Sequence, residues 1–145
     1  MICIATRTGG LAARSVSTGY ERWAVNLGAV RALAASAPIR VIAAGLASGS
    51  IELLDLETGA RIASLDAHDG PVVALAFSIE GRHLTSVGRD GAVRLWDAVN
   101  ARLVLTPLQH AGGAASLTSL ADGRTVIAWD DGRVEILAGP CGDSP

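Results

Sequence analysis

Asp90-Gly91-Ala92-Val93-Arg94-Leu95-Trp96-Asp97 reads as a glycine turn running into a strand, with Val93 and Leu95 on one face and Arg94 and Trp96 on the other. The pattern returns twice. Ser48-Gly49-Ser50-Ile51-Glu52-Leu53-Leu54-Asp55 lies upstream, and Asp131-Gly132-Arg133-Val134-Glu135-Ile136-Leu137 lies downstream. Gly49, Gly91 and Gly132 thus recur at near-equal intervals along the chain. A fainter copy, Thr8-Gly9-Gly10-Leu11 followed by Thr18-Gly19, precedes Ser48-Gly49-Ser50-Ile51 and Thr58-Gly59 by nearly the same interval.

Around the central copy the strand signals agree. Pro71-Val72-Val73-Ala74-Leu75-Ala76-Phe77 is apolar and partly β-branched, as a buried strand requires. Ser78 to Gly81 is a turn, and His83-Leu84-Thr85-Ser86-Val87 is the next strand. Arg89-Asp90-Gly91 closes a tight hairpin, where Gly91 supplies the positive φ of a two-residue turn. Ala92 to Trp96 is the third strand, and Arg102 to Leu105 is an outer fourth. No stretch combines helical periodicity with caps. Four strands repeated every 40 to 45 residues or so, roughly the interval between these glycines, are the signature of a β-propeller.

The composition agrees with one small all-β domain. The chain has 145 residues, half of them hydrophobic and 18% charged, which excludes a disordered chain. Only five residues are aromatic, so the core must come from Val, Leu, Ile and Ala, which favours closely packed sheets. The net charge of −2 argues against a dedicated nucleic-acid or anionic-membrane binder. All twelve basic residues are Arg, a bias that points to a GC-rich, bacterial coding background. Cys3 and Cys141 by themselves make neither a disulfide framework nor a zinc site, and a cytoplasmic setting is the default. Arg7 and Arg14 interrupt any signal-peptide core. Leu103 to Ala121 is free of charge but holds Pro107, Gln109, His110, Gly112 and Gly113, so it is no membrane span.

The segment from Ala67-His68-Asp69-Gly70 to Trp96-Asp97 resembles a unit of the WD-repeat β-propeller family. The likeness rests on the entry turn with His68, the Leu84-Thr85-Ser86 strand, the Asp90-Gly91 hairpin and the closing Val93-Arg94-Leu95-Trp96-Asp97. It covers Ile39 to Leu137 well and Ile2 to Val25 weakly. It implies a structural tetrad in which Trp96 donates to Ser86, Ser86 to His68, and His68 to Asp90. Each group has the valence for that role, and losing one member strands its neighbour at about 1–3 kcal/mol. The other units depart from the pattern. Asn26, Ala44, Ser48 and Leu54 stand at these places in one, and His110, Ala128, Asp131 and Leu137 in the last. Apolar packing is therefore expected to hold the flanking blades.

The expected architecture is an incomplete ring of four-stranded antiparallel blades, about 14 strands in all. It comprises a partial blade at 1–25, blades at 26–66 and 67–108, a partial blade at 109–138 and a flexible tail at 139–145. Ile2 to Ala5 aligns with the middle of a later blade, so the chain opens within a second strand. An open arc exposes strand edges. Three arrangements remove them: membership of a longer propeller as its C-terminal part, pairing with a copy or partner, or closure as an irregular four-bladed ring. The first is favoured.

Functional readings compete with structural ones. Ser86, His68 and Asp90 are the residue types of a hydrolase triad, but Leu84-Thr85-Ser86-Val87-Gly88 lacks a nucleophile elbow and Trp96 already accounts for Ser86. No catalytic residue is assigned. His68, His83 and His110 share no ligand spacing, and Asp122, Asp130 and Asp131 lack the alternation of a calcium loop, so neither metal nor cofactor is expected. Thr18-Gly19 and Thr58-Gly59 resemble turns of quinoprotein dehydrogenase propellers, the alternative enzymatic reading, although the Trp docking motif of those enzymes is not visible. The resemblance to WD-repeat proteins implies a non-catalytic scaffold that binds another protein or peptide on one rim. Arg89, Asp69 and Asp130 are the expected rim residues, with self-association to complete the ring as a further possibility.

Overall fold

The structure, a computed structural model, describes residues 2–5, 9–110 and 113–138. The tail expected at 139–145, with Cys141, lies outside these residues. Among the described residues, fourteen strands form four antiparallel sheets in chain order. The first sheet contains β1 (Ile2–Ala5), β2 (Gly10–Arg14) and β3 (Glu21–Asn26). The second contains β4 (Val30–Ser36), β5 (Val41–Leu46), β6 (Ser50–Asp55) and β7 (Arg61–Asp66). The third contains β8 (Val72–Phe77), β9 (His83–Gly88), β10 (Ala92–Asp97) and β11 (Arg102–Gln109). The fourth contains β12 (Ala114–Ser119), β13 (Thr125–Trp129) and β14 (Val134–Leu137). Each sheet is a meander, and β8 runs beside both β4 and β12, so the sheets stack like blades around β4, β8 and β12.

Stacking explains the burial pattern. An antiparallel sheet usually buries one face and alternates along each strand. Here β5 is buried at all six positions, because it lies between two blades. Val41 and Ala43 pack with Leu53, Leu75, Phe77 and Trp96 toward the third blade. Ile42, Ala44 and Leu46 pack with Leu11, Ala13 and Trp23 toward the first. A smaller cluster of Val87, Val93, Ile127 and Trp129 joins the third blade to the fourth. The alternation survives, but each face meets protein instead of water. The scarcity of aromatics is thus offset by small side chains that let sheets approach closely.

Two local expectations change. Three residues, Arg89–Gly91, separate β9 from β10, with Gly91 at φ 79° and its N–H donating to the Gly88 carbonyl (3.1 Å). This is a three-residue hairpin with glycine at its left-handed position, not a two-residue turn. The outer strand β11 runs on to Gln109, past the expected end at Leu105. Pro107 is accommodated because β11 is an edge strand whose pairing with β10 shifts register between Val93 and Leu95.

The third strands of the two complete blades end in the same device. Asp55 Oδ1 accepts from the N–H groups of Glu57 (2.8 Å) and Thr58 (3.0 Å). Asp97 Oδ1 accepts from Val99 and Asn100 (3.0 Å each), and the Asn100 side chain donates to Oδ2 at 2.9 Å. The Asn100 bond chiefly holds the buried Asp97 carboxyl down at about 2, despite desolvation. Its lowered value means Asp97 stabilises the fold above pH 3.8 and loses that contribution as the pH falls toward 2. Asp97→Ala is expected to cost about 1–3 kcal/mol at neutral pH, read as a drop in urea midpoint. The deficit should shrink below pH 3.8; an unchanged midpoint at neutral pH would refute the capping role.

Candidate functional site

The central blade carries a continuous hydrogen-bonded chain. Trp96, on β10, donates from Nε1 to Ser86 Oγ on β9 at 2.9 Å. Ser86 Oγ lies 2.8 Å from His68 Nε2, and His68 Nδ1 lies 3.2 Å from Asp90 Oδ1. Asp90 also accepts from the N–H groups of Ala92 and Asp69, each at 3.1 Å. The directions are forced from one end. Indole only donates, so Ser86 accepts from it and gives its own proton to His68. His68, protonated on Nδ1, then donates to Asp90. Burial is the main cause that holds the His68 imidazole below its usual value, with nearby Arg94 adding to it and Asp90 opposing. Burial alone would raise Asp90, but its backbone N–H donors and His68 outweigh it and lower the carboxyl.

Gly88 makes this arrangement possible. A Cβ there would lie 2.5 Å from the His68 ring and 2.6 Å from Asp90 Oδ1. Arg94, beside the chain, donates to the Ala67 carbonyl and ties the entry turn to β10. Ser86 is wholly inaccessible, and its hydroxyl serves both Trp96 and His68. The Ser86, His68 and Asp90 set therefore offers no exposed nucleophile. The other two tryptophans find different partners. Trp23 donates to the Leu56 carbonyl (3.0 Å), and Trp129 donates to Glu135 Oε2 (3.1 Å) while stacking on His110 at a ring separation of 4.1 Å.

An open feature lies at the hairpin end of the blades. Arg31, Pro71, Val72, Val73, Arg89, Gly113 and Asp130 line a cavity of about 500 Å³. The repeat builds it. Arg89 N–H donates to the Pro71 carbonyl (2.9 Å), and Asp130 N–H donates to the Gly113 carbonyl (2.8 Å), so both residues hold one place in successive blades. The strands β4, β8 and β12 each shift register once, at Arg31, Val73 and Ala115. These positions are evenly spaced along the chain, one to each blade. A bulge re-aims a side chain, and Arg31 and Val73 both line the cavity. Among the described residues, neither the Arg31 nor the Arg89 guanidinium forms an ion pair or hydrogen bond. Both side chains are exposed, as is Asp130.

Of the three rim residues expected from sequence, Arg89 and Asp130 therefore meet at the cavity. Asp69 is exposed but does not line it. Arg31 was missed. Its signal was the even spacing to Val73 and Ala115, which is silent until the bulges are seen. A second cavity of about 280 Å³ lies at the other end of the inner strands, between Ser36, Phe77, Ile79 and Leu120, and has no charged lining. No three His, Cys, Asp or Glu side chains among the described residues gather as a metal site. Among the same residues, no helix is long and apolar enough to cross a membrane.

Comparison with known proteins places these blades. Residues 59–97 match the family model "WD domain, G-beta repeat". The solved WD40 repeats of RRP9 superpose with a TM-score of 0.87 at 22% identity, over 92% of this chain and 43% of that one. U3-55K gives a TM-score of 0.88 at 22% identity, over 95% and 45%. Residues 59–97 are a WD repeat, and the chain has the fold of WD40 propeller blades. Periodic tryptophan protein 2 of Saccharomyces cerevisiae is 30% identical over 83% of this chain and 13% of its own length. WD repeat-containing protein SL1-17 of Schistosoma mansoni is 39% identical over 46% of this chain and 22% of its own. The chain thus spans a minor part of the curated relatives it matches.

The hydrogen-bonded chain of the central WD repeat predicts graded losses. Trp96→Ala should destabilise by about 3–5 kcal/mol, as for other large core aromatics. Trp96→Phe keeps most of the packing but removes the indole donor to Ser86, for about 1–3 kcal/mol. An unchanged melting temperature in both variants would remove the network's role. Because the His68 value is lowered on folding, the unfolded chain takes up that proton first, and stability must fall as the pH drops below 6.5. Urea midpoints across that range should show the slope, and His68→Gln should flatten it.

Proposed function

We propose that this chain is a non-catalytic scaffold that presents its hairpin end to another protein. The observation that carries the proposal is the cavity framed by Arg31, Arg89 and Asp130, whose two guanidiniums have no partner among the described residues. Guanidiniums with no partner among the described residues, held on a frame built from three blades, suit recognition. Arginine is also favoured where interfaces concentrate their binding energy. The burial of Ser86 and the two bonds to its hydroxyl speak against the hydrolytic reading. Asp69 lies on the same rim, outside the cavity, and belongs to the surrounding contact surface.

Arg89→Glu should leave the melting temperature within about 1 °C, as for an exposed residue away from packing, while abolishing capture of the protein partner in a pull-down. Loss of folding would make Arg89 structural, and undiminished capture would move the interface elsewhere.

Self-association is a second reading, favoured by β14. Among the described residues β14 pairs only with β13, and Val134 and Ile136 on it are 64% and 56% exposed. An apolar strand with a free edge invites another strand. Light scattering after size exclusion should give about twice the sequence mass of 14.7 kDa; a monomer at all concentrations would exclude it.

A further inference from the structure

Building on the scaffold reading, we infer that the cavity of Arg31, Arg89 and Asp130 recognises an acidic side chain, Asp or Glu, in a peptide segment of the partner protein. Arg31 comes from the bulge of β4 and Arg89 from the hairpin after β9, so two blades supply the cationic lining. A planar guanidinium offers paired N–H donors whose geometry matches a carboxylate, and here both forks are uncommitted among the described residues. Between them lie Pro71, Val72 and Val73, an apolar floor for the methylene stem of the incoming residue. Val73 occupies the bulge of β8 that corresponds to Arg31 in β4, so the repeat places an apolar contact where the neighbouring blade places a charge.

The acidic part of the cavity lining fixes the class of partner. The Asp130 carboxylate leans over Gly113, 2.6 Å from where a Cβ would stand, so a larger residue at 113 would displace it. Asp69 adds another exposed carboxylate on the rim, and the chain as a whole carries a net charge of −2. A polyanion laid across this face would meet those charges, and nucleic acid is disfavoured. A peptide with one acidic residue next to a basic or neutral one satisfies both the cationic and the acidic lining. The cavity of about 500 Å³ is of a size to take one or two side chains.

The test uses the whole chain and random dodecapeptides displayed on phage, followed by fluorescence anisotropy with the selected peptides. The expected result is an enriched Asp or Glu at a fixed position. Replacing it by Gln or Asn should weaken binding about tenfold or more, as should Arg31→Gln or Arg89→Gln in the protein, and salt should weaken it too. Circular dichroism and melting temperature of both variants establish that they fold. Peptides that lose binding to Val73→Glu but tolerate the acid-to-amide change would overturn the acidic preference and leave the scaffold reading standing. Selected peptides indifferent to Arg31, Val73 and Arg89 alike would overturn both. Stronger binding of a single-stranded oligothymidylate than of any peptide would also overturn the proposal, in favour of nucleic acid.

Discussion

Every strand in the middle of this molecule depends on burial from both sides. Ile51, Leu53 and Leu54 of β6 are fully inaccessible, yet they face two different blades. No single sheet could hide them. Each such side chain stabilises by about 1.5–3 kcal/mol only while the neighbouring blade covers it. The stability of one blade is therefore partly the property of the next, as in other repeat architectures. Small residues are what permit the approach. Gly45 is an example, since a Cβ there would come within 2.6 Å of Val72 in the following blade.

Polar interactions then give each blade its own character within the shared frame. The central blade links its entry turn, β9 and β10 through Asp90, His68, Ser86 and Trp96. The first and fourth blades use their tryptophans otherwise, against a backbone carbonyl in one case and a carboxylate with a stacked histidine in the other. A buried indole N–H needs an acceptor, but the frame does not dictate which one. The hydrogen-bonded chain thus sits in the third blade, which also contributes Pro71, Val72, Val73 and Arg89 to the hairpin-end cavity. A well-fixed blade beside a binding surface lowers the cost of ordering that surface on association.

Much of this was legible in the residues. The evenly recurring glycine turns at Gly49, Gly91 and Gly132, the alternation of Val93, Arg94, Leu95 and Trp96, and the absence of capped helical periods all point to repeated four-stranded sheets. The order of donors and acceptors from Trp96 to Asp90 follows from valence once the family resemblance names the positions. The length of the Asp90 hairpin was misread, because glycine at a turn signals positive φ without saying how many residues share the loop. The extension of β11 through Pro107 was likewise hidden. A proline in a strand is acceptable only at an edge or bulge, and edge status is a property of the assembled sheet.

The sequence by itself determined the repeat and the strands, because these rest on local spacing and on the chemistry of single residue types, while the polar network of the central blade followed from the family resemblance. The proposed binding surface belongs to the tertiary structure. Arg31 and Arg89 are distant in the chain and share no motif. They line one cavity because β4 and β8 lie side by side and a bulge in β4 puts Arg31 at that end. A bulge has no fixed residue type, and adjacency between blades is set by the burial of apolar faces, so neither could be read from the order of residues alone.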